Sequence, residues 1–434
     1  MKRREFLLSS GAVLAIASCT PKPTPAADPF PAAFAPVRNV LKKQIADMTI
    51  PGSVFLIAHN LKDVGDKDEV IVSADGVTTV GGSAPMQRDT IFRIASMTKA
   101  VTAAAVMMLV EEGKLTLDEN AERLLPELAN RKVLKTISSP IDDTVPASHP
   151  ITVREIMNFT FGYGINFDPS LPINKAGAER QLTLAEPTPM TPHAPDEWMR
   201  LFGELPLMYQ PGERWLYNVG SLLQGVLVRR ASGQDFDTFV SERITGPLGM
   251  KDTAFFVAPD KLNRFAGCAN FTDPATKKQT RMDKDGAESA YATRPIFPSG
   301  AGGLCSTVDD YLAFQRMLLA DGELGGKKLL SPESVRLMTT NQLTDEQRKV
   351  SDKSLTPGMF DAAGWGYGMG VQIAANPDTD IPGAYGWDGG FGSSWFTDPN
   401  RKIISIVMTQ SPDFLFNGGL AAYRSAVYKA TAAS

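Results

Sequence analysis

Histidine and cysteine are scarce in this chain of 434 residues, with three of each. His59, His149 and His193 lack the spacing of zinc ligands, and the Gly-x-Ser-x-Gly motif of many serine hydrolases does not occur. The residues therefore give little support to a Ser-His-Asp hydrolase and less to a zinc hydrolase. We expect no metal and no cofactor.

The charge balance is also close to neutral, with a formal net charge of −4. Nothing in this balance favours binding of nucleic acid. Hydrophobic residues make up 43% of the chain and charged residues 21%, which is typical of a globular enzyme with a large core. The length allows two or three structural units.

The N-terminus has the pattern of an export signal. Residues 1–18 combine a basic start with an apolar run that is too short to cross a bilayer but suits a signal peptide. "KRREFL" resembles a twin-arginine signal, and "IASC" resembles the lipobox of bacterial lipoproteins, in which the cysteine, here Cys19, is acylated. Residues 19–32 read as a Pro-rich tether. We expect an exported protein, periplasmic or anchored to the outer membrane through Cys19; a plain Sec signal is the alternative.

The other two cysteines, Cys268 and Cys305, would reach a compartment that permits disulfides. The sequence leaves their pairing open. We favour two small buried residues.

Candidate chemistry lies in the stretch "FRIASMTKAVTAAAVMMLVEEGKL", residues 92–115. It places Ser96 and Lys99 three residues apart at the start of a helix that is apolar on nearly every side. Positions i and i+3 share a helix face, so the Lys99 amine would lie over the Ser96 hydroxyl. Such a pair can activate a serine nucleophile, although Ser-x-x-Lys also arises by chance as a helix cap beside a surface lysine.

Six stretches occur in order along the chain: "FRIASMTKAVTAAAVMMLVEEGKLTLDE", "VPASHPITVREIMNFTFGYG", "QPGERWLYNVGSLLQGVLV", "GAGGLCSTVDDYLAFQRMLLADGEL", "LLSPESVRLMTTNQL" and "GWDGGFGSSWFTDP". Together they resemble the β-lactamase-related serine hydrolases, and most closely the family VIII carboxylesterases. The resemblance implies an α+β fold, with an antiparallel sheet flanked by helices and a mostly helical lobe. It makes residues 33–434 one hydrolase domain, with an α/β lobe of about 33–115 and 295–434 and a helical lobe of about 116–294.

The same resemblance assigns catalytic roles. It implies that Ser96 is the nucleophile, with Lys99 and Tyr217 (from "YNV") as its base, and it leaves open which of the two is deprotonated. By the same analogy, the backbone N–H groups of Ser96 and Gly390 form the oxyanion hole.

The sequence departs from the family pattern near the expected cleft. Trp387 stands where relatives of the β-lactamase type have a lysine, Val219 stands where they have an asparagine, and "FTFG" is more apolar than the usual block. Those polar groups would hold a β-lactam, whereas Asp388 would repel its carboxylate. The expected substrate-binding residues are Phe159, Phe161, Val219, Trp387, Asp388 and Gly389.

These departures favour a hydrolase of small-molecule, short-chain carboxylic esters that works through a Ser96 acyl-enzyme. The alternatives are a β-lactamase or DD-peptidase, and, with less support, a non-catalytic lipoprotein that binds envelope components.

Overall fold

The computed structural model describes residues 30–59, 69–184, 190–272, 279–351, 358–375 and 381–432. The signal stretch 1–18, Cys19 and most of the tether 19–32 lie outside these ranges. Within the ranges, no helix combines the length and apolar character needed to cross a bilayer.

The helices of the described residues are α1 Ala35–Ala46, α2 Thr98–Glu111, α3 Val153–Met157, α4 Pro172–Glu179, α5 Pro195–Gly203, α6 Val219–Ser232, α7 Phe236–Val240, α8 Gly246–Leu248, α9 Val308–Leu319, α10 Pro332–Thr339, α11 Asp345–Val350, α12 Met359–Ala362 and α13 Gly419–Ala432. The strands are β1 Gly52–His59, β2 Glu69–Gly76, β3 Phe92–Arg93, β4 Lys132–Leu134, β5 Thr144–Pro146, β6 Asn270–Thr272, β7 Gln279–Arg281, β8 Cys305–Ser306, β9 Glu323–Leu324, β10 Lys327–Lys328, β11 Ala363–Trp365, β12 Gly370–Gln372, β13 Tyr385–Gly389, β14 Ser393–Asp398 and β15 Ile403–Met408.

One antiparallel sheet joins the two ends of the chain. Its strand order is β11-β12-β13-β14-β15-β1-β2. β1 pairs with β15, so Val54 lies opposite Met408. The other strands form two-stranded ribbons. The α+β fold with a sheet flanked by helices is therefore confirmed. The division into two lobes at about 116 and 295 stays a prediction.

Helices cover both faces of this sheet, which explains why β1 is apolar at every position from Val54 to Ala58. Val54 and Leu56 face the larger core, to which α2 and α6 contribute. Phe55 and Ile57 point the other way, into a smaller core with α1 and α13. Because strand side chains alternate between faces, a strand buried on both sides needs apolar residues throughout.

Helix α2 is buried along almost its whole length, from Thr98 to Leu109. It packs against α6 and shares the larger core with it. This burial removes Lys99 from water, and it determines the chemistry of the site.

Candidate active site

Ser96 lies in a single 3₁₀ turn, Ala95–Met97, between β3 and α2. Ala95 has a φ of +41°, a region that residues with a Cβ rarely adopt. The strained turn leaves Ser96 half-buried at the start of a helix, where backbone N–H groups lack partners within the helix.

The Lys99 amine contacts the Ser96 hydroxyl, as predicted. Its Nζ lies 2.9 Å from Ser96 Oγ and 2.6 Å from the carbonyl oxygen of Ala301. Lys99 is fully buried, and among the described residues no carboxylate forms an ion pair with it. Ala301 belongs to the quoted "GAGGLC" block, but its role as an acceptor could not be predicted from the sequence.

Tyr217 forms the third side of this group. The centroid of its ring lies 4.5 Å from Lys99 Nζ, and its hydroxyl accepts a hydrogen bond of 2.6 Å from Trp387 Nε1. Immediately after it, the Val219 N–H donates to the Tyr217 carbonyl, and Asn218 has φ +81° and ψ −58°. This is a γ-turn of the rare, strained type. It ends the extended segment abruptly, so that Tyr217 faces Lys99 before α6 begins.

The environment of both groups favours their neutral forms. Burial holds the pKa of the Lys99 ammonium well below its ordinary value. Burial raises the pKa of the Tyr217 phenol, and the hydrogen bonds with Ser96 and Trp387 offset this only in part. The face of the Tyr217 ring would stabilise an ammonium by about 0.5–2 kcal/mol, but an unpaired charge buried without water costs more.

An aromatic group surrounds Tyr217 and Trp387. Trp365 stacks edge-on against Trp387, with centroids 4.6 Å apart, and Trp215 lies 5.5 Å from Tyr217. Both tryptophans were missed by the sequence analysis, although Trp215 is only two residues before Tyr217. They make the surroundings of the Tyr217 and Trp387 rings apolar.

The β13–β14 turn lies beside the Ser96 turn, because β13 packs against Ala95–Met97. A methyl group on Gly389 would overlap the Ile94 carbonyl oxygen and the Ser393 hydroxyl. We therefore correct the prediction that Gly389 lies open to substrate: its missing side chain makes room for Ile94. Among the described residues, the N–H of the next residue, Gly390, has no hydrogen-bond partner.

Asp388 points away from the site. Its carboxylate accepts hydrogen bonds from Arg424 of α13, at 2.6 Å, and from Ser394, at 2.7 Å. Side chains alternate along β13, so Trp387 faces Tyr217 while Asp388 faces α13. The prediction that Asp388 binds substrate or repels its carboxylate is therefore corrected.

Three other predicted substrate contacts are buried. Phe161 and Val219 belong to the larger core, fully shielded from solvent. Phe159 is also fully buried, but its ring lies 5.2 Å from Trp365 and 6.2 Å from Tyr217. We correct all three roles: Phe161 and Val219 pack the core, and Phe159 supports the aromatic group from behind.

Elsewhere, Cys268 and Cys305 are free and buried, which confirms the expectation of two small buried residues. In the described ranges, no group of three or more His, Cys, Asp or Glu side chains is arranged to hold a metal ion.

A family model described as Beta-lactamase matches residues 37–428. An uncharacterized protein of Mycobacterium tuberculosis (strain CDC 1551 / Oshkosh) is 38% identical over 349 residues, covering 78% of this chain and 82% of that protein. The lovastatin esterase of Penicillium rubens is 30% identical over 349 residues, covering 76% and 82%.

A solved structure is similar over nearly the whole chain. EstCE1, described as a hydrolase with promiscuous acyltransferase activity, has a TM-score of 0.71 at 23% identity. The match covers 91% of this chain and 98% of the EstCE1 chain. At this identity the likeness shows the fold alone.

Proposed function

Because the chain belongs to the Beta-lactamase family and is a serine hydrolase, we propose that it cleaves short-chain carboxylic esters through an acyl-enzyme on Ser96. One observation carries this proposal: the Lys99 amine lies 2.9 Å from Ser96 Oγ and has no carboxylate partner among the described residues. A neutral amine so placed can accept the serine proton.

In acylation, Ser96 Oγ bonds to the ester carbonyl carbon while its proton moves to the Lys99 lone pair. The Ala301 carbonyl accepts an N–H of the same amine and directs the lone pair towards Ser96. Lys99 is therefore proposed as the base in preference to a tyrosinate, and this is supported by burial, which favours the neutral form of both groups.

Tyr217 then serves as the proton donor to the leaving alcohol. The Trp387 indole N–H occupies one lone pair of the phenol oxygen, which leaves the phenol proton free to point towards Ser96 and the leaving group. As the C–O bond breaks, the alkoxide takes this proton, and the proton held by Lys99 replaces it. In deacylation, water takes the place of the alcohol and the proton transfers run in reverse: water gives up a proton and bonds to the acyl carbon, Ser96 Oγ regains its proton, and the acid is released.

The negative charge on the carbonyl oxygen would be held by the N–H groups of Ser96 and Gly390. Supporting this, Ser96 lies in a first helical turn and the Gly390 N–H is unpartnered within the described residues. Losing one such donor typically costs about 3–4 kcal/mol in the transition state.

Trp387 supports neutral esters as the proposed substrate class. An indole in place of a cation removes a charge-assisted hydrogen bond to a substrate carboxylate, worth roughly 1.5–3 kcal/mol, or about tenfold to a hundredfold in kcat/KM. Arg424 does not replace that cation, since it lies on the other face of β13 and pairs with Asp388. A neutral ester loses nothing and gains apolar contact with Trp387.

The test compares p-nitrophenyl butyrate with nitrocefin on the domain that lacks residues 1–19. We expect kcat/KM for the ester to be well above that for nitrocefin, and Ser96→Ala to abolish ester turnover while keeping the fold. Faster nitrocefin hydrolysis would favour the β-lactamase alternative. Mass spectrometry after a serine-directed phosphonate addresses the binding-protein alternative, which predicts an unmodified Ser96.

A further inference from the structure

Arg93, three residues before Ser96, carries a charge that is buried close to the site. It is fully buried, and its guanidinium donates to side chains and carbonyls from three separate segments. Nε donates to Asp283 Oδ2 at 2.6 Å, and the other contacts are Ala266 O at 2.7 Å, Gln410 Oε1 at 3.0 Å, Lys284 O at 3.0 Å and Ser289 Oγ at 3.1 Å. The strand that leads to Ser96 is thus fixed through one side chain.

The partners of Arg93 are themselves held. The Ser289 hydroxyl donates to Asp283 Oδ2 at 2.6 Å, and the Ala290 N–H donates to Asp283 Oδ1 at 3.0 Å. The Gln410 side-chain amide makes two hydrogen bonds with the backbone of Arg93: its Oε1 accepts from the Arg93 N–H at 3.1 Å, and its Nε2 donates to the Arg93 carbonyl at 3.0 Å. Gln410 follows β15, the neighbour of β14.

The guanidinium also lies over the ring of Phe391, the residue that follows the proposed oxyanion donor Gly390. Its carbon lies 5.9 Å from the ring centroid of Phe391, the residue directly after Gly390, and 4.1 Å from that of Phe265. Phe391 and Ala95 belong to the same small buried cluster. Arg93 therefore touches the Gly390 turn through its side chain and continues into the Ser96 turn through its backbone.

A contribution to stability does not by itself account for the buried ion pair between Arg93 and Asp283. Buried ion pairs are often no more stabilising than apolar residues of similar volume, because both charges lose their hydration. We propose that Arg93, held by Asp283, Ser289 and Gln410, is a positioning residue that fixes the spacing between the Ser96 and Gly390 N–H groups. This inference rests on the proposed function, since the spacing matters only if those groups bind an oxyanion.

The test uses Arg93→Lys, which keeps the charge but cannot reach all these acceptors, and Ser289→Ala, which removes one hydroxyl from the network. With p-nitrophenyl butyrate, we expect Arg93→Lys to lower kcat by about 10- to 100-fold with KM within about threefold, and Ser289→Ala to lower kcat by a smaller factor. The Ki of phenylboronic acid, which forms a tetrahedral serine adduct, should rise by the factor by which kcat/KM falls. The pH profile should not move, since neither Lys99 nor Tyr217 is contacted.

A matched control is the partly buried pair Arg38–Asp75, with Nη2 and Oδ1 2.9 Å apart. It joins α1 to β2, three strands from β14 in the sheet. Arg38→Lys should lower Tm without changing kcat more than twofold. If Ser289→Ala and Arg93→Lys lower only Tm, or if active-site titration shows fewer competent sites with unchanged kcat per site, the positioning role is wrong. Activity that persists in Ser96→Ala is a different result and would overturn the proposed function instead.

Discussion

At the level of single residues, the buried Lys99 lowers the stability of the folded protein. Its ammonium has no carboxylate partner in the described ranges, and burial lowers its pKa. In the unfolded chain the lysine regains a pKa near 10.4. Between these two pKa values the unfolded state binds one more proton, so the free energy of unfolding rises with pH.

We therefore expect Lys99→Met to abolish activity, to raise Tm near neutral pH and to raise the free energy of unfolding by roughly 1–2 kcal/mol. The gain should shrink as the pH approaches 10, because folding removes a proton from Lys99 and the cost of removing it falls as the pH rises towards the unfolded pKa near 10.4. Thermal unfolding of both proteins from pH 6 to 10 measures this. Lys175→Met, at an exposed lysine, is the control. A Tm difference that stays constant or grows with pH would contradict the buried neutral amine.

The positions of Ser96 and Lys99 could be predicted from the sequence because both lie on one helix start, where spacing alone brings the groups together. Tyr217 and Trp387 came from the family resemblance. The roles of Phe161 and Val219 were wrong because a place beside a motif does not determine the direction of a side chain. Trp365 and Ala301 were missed because only the folded chain brings them to the site.

At the level of elements, β13 holds the Gly390 turn against the Ser96 turn. No side chain fits between Gly389 and the Ile94 carbonyl. Gly389→Ala must therefore move β13 away from Ile94 and carry the Gly390 N–H with it. We expect kcat to fall by about a hundredfold or more, with a smaller change in KM, as when one oxyanion donor is lost.

The matched control is Gly82→Ala, on an exposed loop where the added methyl would lie 3.1 Å from the nearest atom, the Thr79 carbonyl oxygen. Steady-state kinetics and Tm of both variants distinguish a loss of catalysis from a loss of stability. If Gly389→Ala folds and keeps its kcat, β13 does not position the oxyanion hole.

Elements with a clear apolar period were predictable, and those set by backbone strain were not. α1 follows from amphipathic spacing, and β1 follows from a short continuous apolar run, Val54 to Ala58, which is typical of a strand buried on both faces. The γ-turn at Asn218 has no such signal, since asparagine tolerates a positive φ without requiring it. The Asn218 side-chain amide donates a hydrogen bond of 2.7 Å to the Leu184 carbonyl, a tertiary contact that holds the turn.

At the level of the whole molecule, the site exists only when distant parts of the chain meet. β1 and β15 pair across most of the sequence, and Ser96, Tyr217 and Trp387 come from three different regions. α1 and α13 pack together on the face of the sheet opposite the core that contains α2. The described chain therefore begins on the side of the sheet away from Lys99.

We propose that this N-terminal end is anchored to a membrane through Cys19, which lies outside the described residues. Labelled fatty acid should be incorporated in the native host and be absent from Cys19→Ala, whereas Cys268→Ala, at a buried thiol, should keep the label.

Arg3→Lys combined with Arg4→Lys should block export, because a twin-arginine signal requires both guanidinium groups. Fractionation with labelling measures both effects. Label that persists without Cys19 would remove the lipid anchor, and export that survives the double lysine variant would point to a Sec signal.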